Sequence, residues 1–331
     1  MRDLLKDSFG RVAKKLRISV TDRCNMRCVY CMPDNNTQWL SQTNLLSYEQ
    51  IIQIVKVFTL FGIENLKITG GEPLIRSDIE RLVKNLSSIE HIRSLSMTTN
   101  GLLLKNKIKS LKNAGLDSVY ISLDTFDRFR FKEISGVDGL LTVREAINEA
   151  INEELTVKLN TVIMRGWNDD EISNFVKFSR DTGCPVKFIE FMPLDGTGIW
   201  SKDLVVSKKE MIDKISEEFG KLLYLNNDAT DPARLYTFKD SKGVIGFIPS
   251  ITEPFCQSCD RIRLTADGKL YGCLFDNKNH DLRCLLDNSK SDEEVYEYIQ
   301  KCIREKPEGI VKIIRNQSLV PNMNNMYSIG G

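Results

Sequence analysis

Histidine is nearly missing from this chain. It has 2 in 331 residues, His91 and His280, so acid–base chemistry built on imidazole is poorly provided for. Charge of one sign is missing as well: 46 Lys and Arg stand against 45 Asp and Glu, a formal net charge of +1. No global field therefore draws the chain to nucleic acid or to a membrane, and any anion site has to be built locally. No apolar run approaches membrane-spanning length, and Met1-Arg2-Asp3-Leu4-Leu5-Lys6 lacks the uninterrupted apolar stretch of a signal peptide. The cytoplasm is the expected location. The 9 cysteines are too sparse for a disulfide scaffold in a chain this long. With 41% hydrophobic and 27% charged residues, the chain can bury one large core, or one core and a smaller cap.

What cysteine there is falls in clusters. Cys24, Cys28 and Cys31 form a CxxxCxxC triplet directly behind the apolar stretch Leu16-Val20. Three thiolates at this spacing can hold one inorganic cluster, and a four-iron cluster tied by three cysteines keeps one iron open for a ligand. Two plainer readings stand beside it: a zinc site short of a ligand, or three core cysteines. Structural zinc wants four ligands, and no obvious fourth is near. The second set is Cys256-Gln257-Ser258-Cys259, followed by Cys273. It reads either as a zinc ribbon completed by Cys284 or as an open site beside Arg261 and Arg263, which strand alternation puts on one face. Cys184, Cys284 and Cys302 otherwise read as small buried hydrophobes.

Periodicity gives six repeats of a β-like run followed by an amphipathic helix, the runs being Leu16-Val20, Leu66-Thr69, Leu95-Thr99, Val119-Leu123, Thr156-Met164 and Val186-Met192. Capping boxes are expected at Ser47/Gln50, Ser77/Glu80, Asn168/Glu171, Ser207/Glu210 and Ser291/Glu294. Strict alternation argues for a parallel sheet wrapped by helices. The unusual residues, including the cysteine triplet, Gly70-Gly71-Glu72-Pro73, Asn100-Gly101 and Met192-Pro193, all fall at strand C-terminal ends. That is where barrel sites are built, so the expected fold class is α/β, a partial (β/α)6 TIM-type barrel. After Gly220 short strands follow without helices, a hairpin being signalled at Asp267-Gly268. The expected division is 1–220 for the barrel core and 221–331 for a smaller, mainly antiparallel region ending in Gly330-Gly331. Alternation also turns Arg17, Lys67 and Lys158, with Arg261 and Arg263, toward one interior. In a near-neutral chain such a set implies a polyanionic substrate.

The triplet, with an aromatic before its last cysteine, resembles the radical S-adenosylmethionine (SAM) superfamily. The second triplet, the Asp260-Arg261-Ile262-Arg263 run and the terminal Gly-Gly narrow the resemblance, essentially end to end, to the GTP 3′,8-cyclases of molybdenum cofactor biosynthesis (protein A of that pathway). The resemblance implies two [4Fe-4S] clusters, on Cys24, Cys28 and Cys31 and on Cys256, Cys259 and Cys273, the first binding SAM and the second the guanine of GTP. It implies SAM contacts at Tyr30, Gly71, Ser122 and Met192, and GTP contacts at Arg17, Lys67, Thr98, Lys158, Arg261, Ile262 and Arg263. Arg17, Gly330 and Gly331 are implied for turnover. Lys67 departs from the family pattern, which has arginine; lysine keeps the charge and loses the bidentate fork.

The reaction so implied cleaves SAM to methionine and a 5′-deoxyadenosyl radical, which takes H3′ of GTP so that C3′ attacks C8 of guanine. An external electron donor, a homodimer and a following enzyme, cyclic pyranopterin monophosphate synthase, belong to the same resemblance. Two other readings remain: a radical SAM peptide-modifying enzyme with an auxiliary cluster, and a non-catalytic zinc-binding scaffold.

Overall fold

The computed structural model describes residues 4–32, 39–194, 198–226, 228, 230–286, 291–310 and 326–330. Gly331 lies outside the described residues. Six parallel strands, β1 (Lys15–Ser19), β2 (Asn65–Thr69), β3 (Ser94–Thr99), β4 (Ser118–Ser122), β5 (Thr156–Ile163) and β6 (Val186–Glu190), alternate with helices. These are α1 (Tyr48–Thr59), α2 (Ile79–Ser87), α3 (Ile108–Asn113), α4 (Arg128–Ser135), α5 (Leu140–Asn152), α6 (Ile172–Thr182) and α7 (Lys208–Phe219). The strands pair in chain order, β1 to β6. Leu16, Ile18, Leu66, Ile68, Met97, Val119, Ile121 and Leu159 are buried on the face toward the helices, whereas the alternate residues line the interior, as period-two geometry dictates.

The chain after α7 extends this sheet at both edges. β9 (Val244–Ile248) adds parallel to β6 and carries β8 (Arg234–Thr237) and β7 (Leu223–Leu225) antiparallel. β10 (Arg261–Leu264) adds parallel to β1 and carries β11 (Lys269–Tyr271) and β12 (His280–Asp281) antiparallel. The result is one 12-stranded sheet that does not close on itself. The second cysteine set is thereby placed beside the first strand. α8 (Asp292–Arg304) follows, and a last turn of helix, α9 (Met326–Ile329), returns to the barrel. No helix among the described residues is long and apolar enough to cross a membrane.

Capping boxes form at Ser47/Gln50, Ser207/Glu210 and Ser291/Glu294. Two expected boxes do not. α2 starts one residue later, with Asp78 at its cap in the left-handed region (φ 54°) and no side-chain bond, and Glu80 binds Lys107 instead at 2.7 Å. Asn168 is drawn inward, where its amide donates to the carbonyls of Asp124 and Val162, each at 2.8 Å. Glu171 accepts from the Phe126 backbone at 2.7 Å. Both residues join strand ends rather than cap, because burial rewards satisfying those strand-end groups more than a local cap does.

Candidate active site

The cysteine loop leaves β1 and is clamped from two sides. Backbone N–H groups of Gly71 and Glu72 donate to the carbonyls of Thr21 and Arg23 at 2.7 and 2.8 Å, and those of Arg27 and Val29 donate to Ser135 and Ile134 at 2.8 and 2.9 Å. A Cβ on Gly70 would stand 2.7 Å from the Thr21 carbonyl oxygen, and one on Gly71 2.7 Å from that of Asp22. The glycine pair is thus required by close approach of the cysteine loop's own backbone. Glu72 ties the turn to the end of β3, accepting from Thr99 Oγ1 and the Asn100 backbone, both at 2.7 Å.

Cys24, Cys28 and Cys31 line a cavity of about 690 Å³ with Tyr30, Thr69, Gly71, Thr98, Asn100 and Ser122. Thr69 Oγ1 faces it, buried and without a hydrogen-bond partner. Burial pushes the Cys24 thiol up, the Cys28 thiol well up and the Cys31 thiol to about 12. Three half-buried thiols lining one cavity with an unsatisfied polar atom fit a group that supplies positive charge.

A second cavity of about 1290 Å³ is continuous with the first in its lining, sharing Tyr30, Thr98, Ser122 and Met326. At its far side stand Cys256, Cys259 and Cys273 with Arg17, Arg261 and Arg263. Arg261 Nη2 donates to Cys259 Sγ at 3.3 Å, and Lys306 Nζ donates to the carbonyls of Cys259 and Arg261 at 2.8 and 2.9 Å. Burial works against the Cys259 thiolate, yet Arg261 and Lys306 bring its thiol down to about 6. Burial raises Cys273 to about 11. Arg17, half-buried, is brought to about 10 by burial and by Arg261; burial, Arg17 and Arg261 push Arg263 well down. Cations crowded this way call for an anion.

Cys284 sits apart from this set. Its thiol donates to the Asp281 carbonyl at 3.5 Å, beside Cys302 and Tyr298, so the ribbon's fourth ligand is not in place. All nine cysteines are free thiols. Among the described residues no three His, Cys, Asp or Glu are set to hold a single metal ion. A four-iron cluster binds its thiolates on separate irons and asks for a wider set than tetrahedral zinc.

The tail reaches the same interior. Arg263 Nη1 donates to the Gly330 carbonyl, Met326 lines both cavities, and Tyr327 lines the first.

The expected site residues fall as follows. Tyr30, Thr98 and Ser122 line both cavities, Gly71 the first, and Met192, Arg17, Arg261 and Arg263 the second. Lys67 and Arg17 line a third, of about 720 Å³, at the opposite end of the barrel. Lys158 stands with its Nζ 3.4 Å from the Tyr120 hydroxyl. Ile262 is fully buried in the layer between strands and helices, so only its backbone is available to a ligand there.

Sequence reading did not assign Asp124, Asn160, Lys187 or Lys306 to the site. Asp124 accepts from the Tyr30 hydroxyl at 2.5 Å, and burial lifts its carboxyl to about 6. Asn160 Oδ1, in the second cavity, is buried and unpartnered. Lys187 alternates inward on β6 as Lys158 does on β5, a signal present in the pattern.

An open parallel barrel carrying a three-cysteine loop after its first strand defines the class, and residues 18–179 match the Radical SAM superfamily. SuiB of Streptococcus suis, solved bound to S-adenosylmethionine, shares the fold with a TM-score of 0.60 at 14% identity, over 88% of this chain and 68% of that one. The SAM-bound structure titled native anSMEcpe does so at 0.55 and 16%, over 87% and 84%. Residues 184–311 match Molybdenum Cofactor Synthesis C. The "GTP 3′,8-cyclase" of Thermodesulfovibrio yellowstonii is 44% identical over 92% of this chain and 95% of its own length. The mitochondrial one of Arabidopsis thaliana is 40% identical over 92% and 78%. The chain belongs to the GTP 3′,8-cyclase family. Its cofactors are SAM and iron–sulfur.

Proposed function

We propose that this chain converts GTP to (8S)-3′,8-cyclo-7,8-dihydroguanosine 5′-triphosphate, an early step of molybdenum cofactor biosynthesis. The observation that carries the reading is the pair of cysteine triplets set on two cavities with a shared lining, with Arg17, Arg261 and Arg263 beside the second. In this reading Cys24, Cys28 and Cys31 hold one [4Fe-4S] cluster and Cys256, Cys259 and Cys273 hold another. Residues 1–220 form the SAM half and 221–331 the substrate half. When bound, the cluster and SAM supply one-electron chemistry that yields a carbon radical able to remove a hydrogen atom.

The chain's own residues position the reactants and exclude water. Arg17, Arg261 and Arg263 meet the anion, and Lys67 and Lys158 extend the positive surface toward its far end. Val162, Ile189 and Met192 give the second cavity an apolar wall, which keeps a radical from reacting with solvent. Tyr30, fixed by Asp124, and Ser122 frame the passage between the two ends. The same proposal includes an external electron donor, a homodimer in the cytoplasm, and delivery of product to cyclic pyranopterin monophosphate synthase.

The test is anaerobic incubation with GTP, SAM and a reductant. Equal amounts of 5′-deoxyadenosine and cyclised nucleotide are expected. 5′-Deoxyadenosine formed at the same rate with and without GTP, and no cyclised nucleotide, would sink the reading.

A further inference from the structure

Tyr120 stands in the middle of the barrel's cationic end. Its register partners on β3 and β5 are Thr98 and Lys158. Lys67 Nζ lies 3.1 Å from the centroid of its ring, Lys158 Nζ 5.1 Å and Lys187 Nζ 5.4 Å; Lys158 also donates to the hydroxyl at 3.4 Å. Lys67 comes from β2, two strands away, and the intervening β3 carries the small Ser96 in register with Lys67.

Three ammonium groups gathered in one place repel one another. Among the described residues a single carboxylate, Asp231, pairs with any of them, 3.7 Å from Lys187. Burial pushes the Lys67 amine well down, and Arg17, Lys187 and Lys158 push it further. The negative face of an aromatic ring attracts cations without carrying net charge. A carboxylate in its place would hold the lysines and repel an anionic ligand. The ring holds them and leaves their charge available.

We propose that Tyr120 is a positioning residue for the terminal phosphates of the nucleotide, holding Lys67, Lys158 and Lys187 as one cradle that distinguishes a triphosphate from a monophosphate. This rests on the GTP reading above. The test is equilibrium binding of GTP and of GMP to the anaerobic holoenzyme, with iron content checked for every variant. Tyr120→Leu is expected to weaken GTP about tenfold and GMP less than about twofold, while Tyr120→Phe, which keeps the ring, stays within about threefold of wild type for GTP. Ser96→Leu, which forces Lys67 and the ring apart with Tyr120 intact, is expected to reproduce the selective loss of GTP. It decides the matter should Tyr120→Leu lose its iron. Equal losses for GTP and GMP, unchanged GTP affinity in both Leu variants, or a Phe variant as weak as the Leu variant would overturn the inference. Wild-type protein that binds no GTP would instead remove the reading beneath it.

Discussion

Glu72 concentrates at one residue the cost of building this site. It is fully buried, and burial lifts its carboxyl from 4.5 to about 7, the bonds from Asn100, Thr99 and Leu74 pulling the other way. An acid raised in the folded state contributes stability that is complete below its unfolded pKa and is lost as pH rises through the folded one. The window is therefore pH 4.5 to about 7. Glu72→Gln removes the ionisation. Thermal unfolding of the two proteins across this window should show wild type losing on the order of 3 kcal/mol relative to the variant; parallel pH profiles would refute the assignment. The glycine pair Gly70-Gly71 and its place at a strand end were legible in the sequence. That the pair packs against the cysteine loop, at Thr21 to Arg23, was not legible, because the pairing is between segments nearly fifty residues apart.

Among the described α-helices, α9 is the shortest and the most open to test. Gly330, just past its end, has φ 74°, and a Cβ there would meet Thr69 Oγ1 at 2.5 Å and Ser19 Cβ at 3.2 Å. Both the backbone conformation and the space favour glycine. Gly330→Ala is expected to displace the tail and cut product formation at least tenfold while iron content stays at the wild-type level; full turnover in the variant would contradict a role for this placement. Elsewhere the six barrel strands were legible to within about two residues from periodicity, and three serine-led capping boxes formed as patterned. The boxes at Ser77 and Asn168 failed because tertiary partners took their side chains or shifted the helix start. Local rules hold where the helix end faces solvent and yield where it faces the strand ends.

For the whole molecule, β/α alternation announced the open barrel and the composition of its interior. The addition of β9 and β10 to its two edges was not legible, since parallel pairing over such separations leaves no local trace. Yet that addition brings Cys256, Cys259 and Cys273 to a cavity that shares part of its lining with the one Cys24, Cys28 and Cys31 line. In the proposed reaction each triplet holds its own four-iron cluster and the second serves the substrate. The most direct measurement is iron and acid-labile sulfide in anaerobically prepared wild type and Cys256→Ala, with GTP binding measured on the same samples. About eight irons per chain are predicted for wild type and about four for the variant, with GTP binding lost and SAM still bound. Four irons in both proteins, or zinc without sulfide, would contradict it.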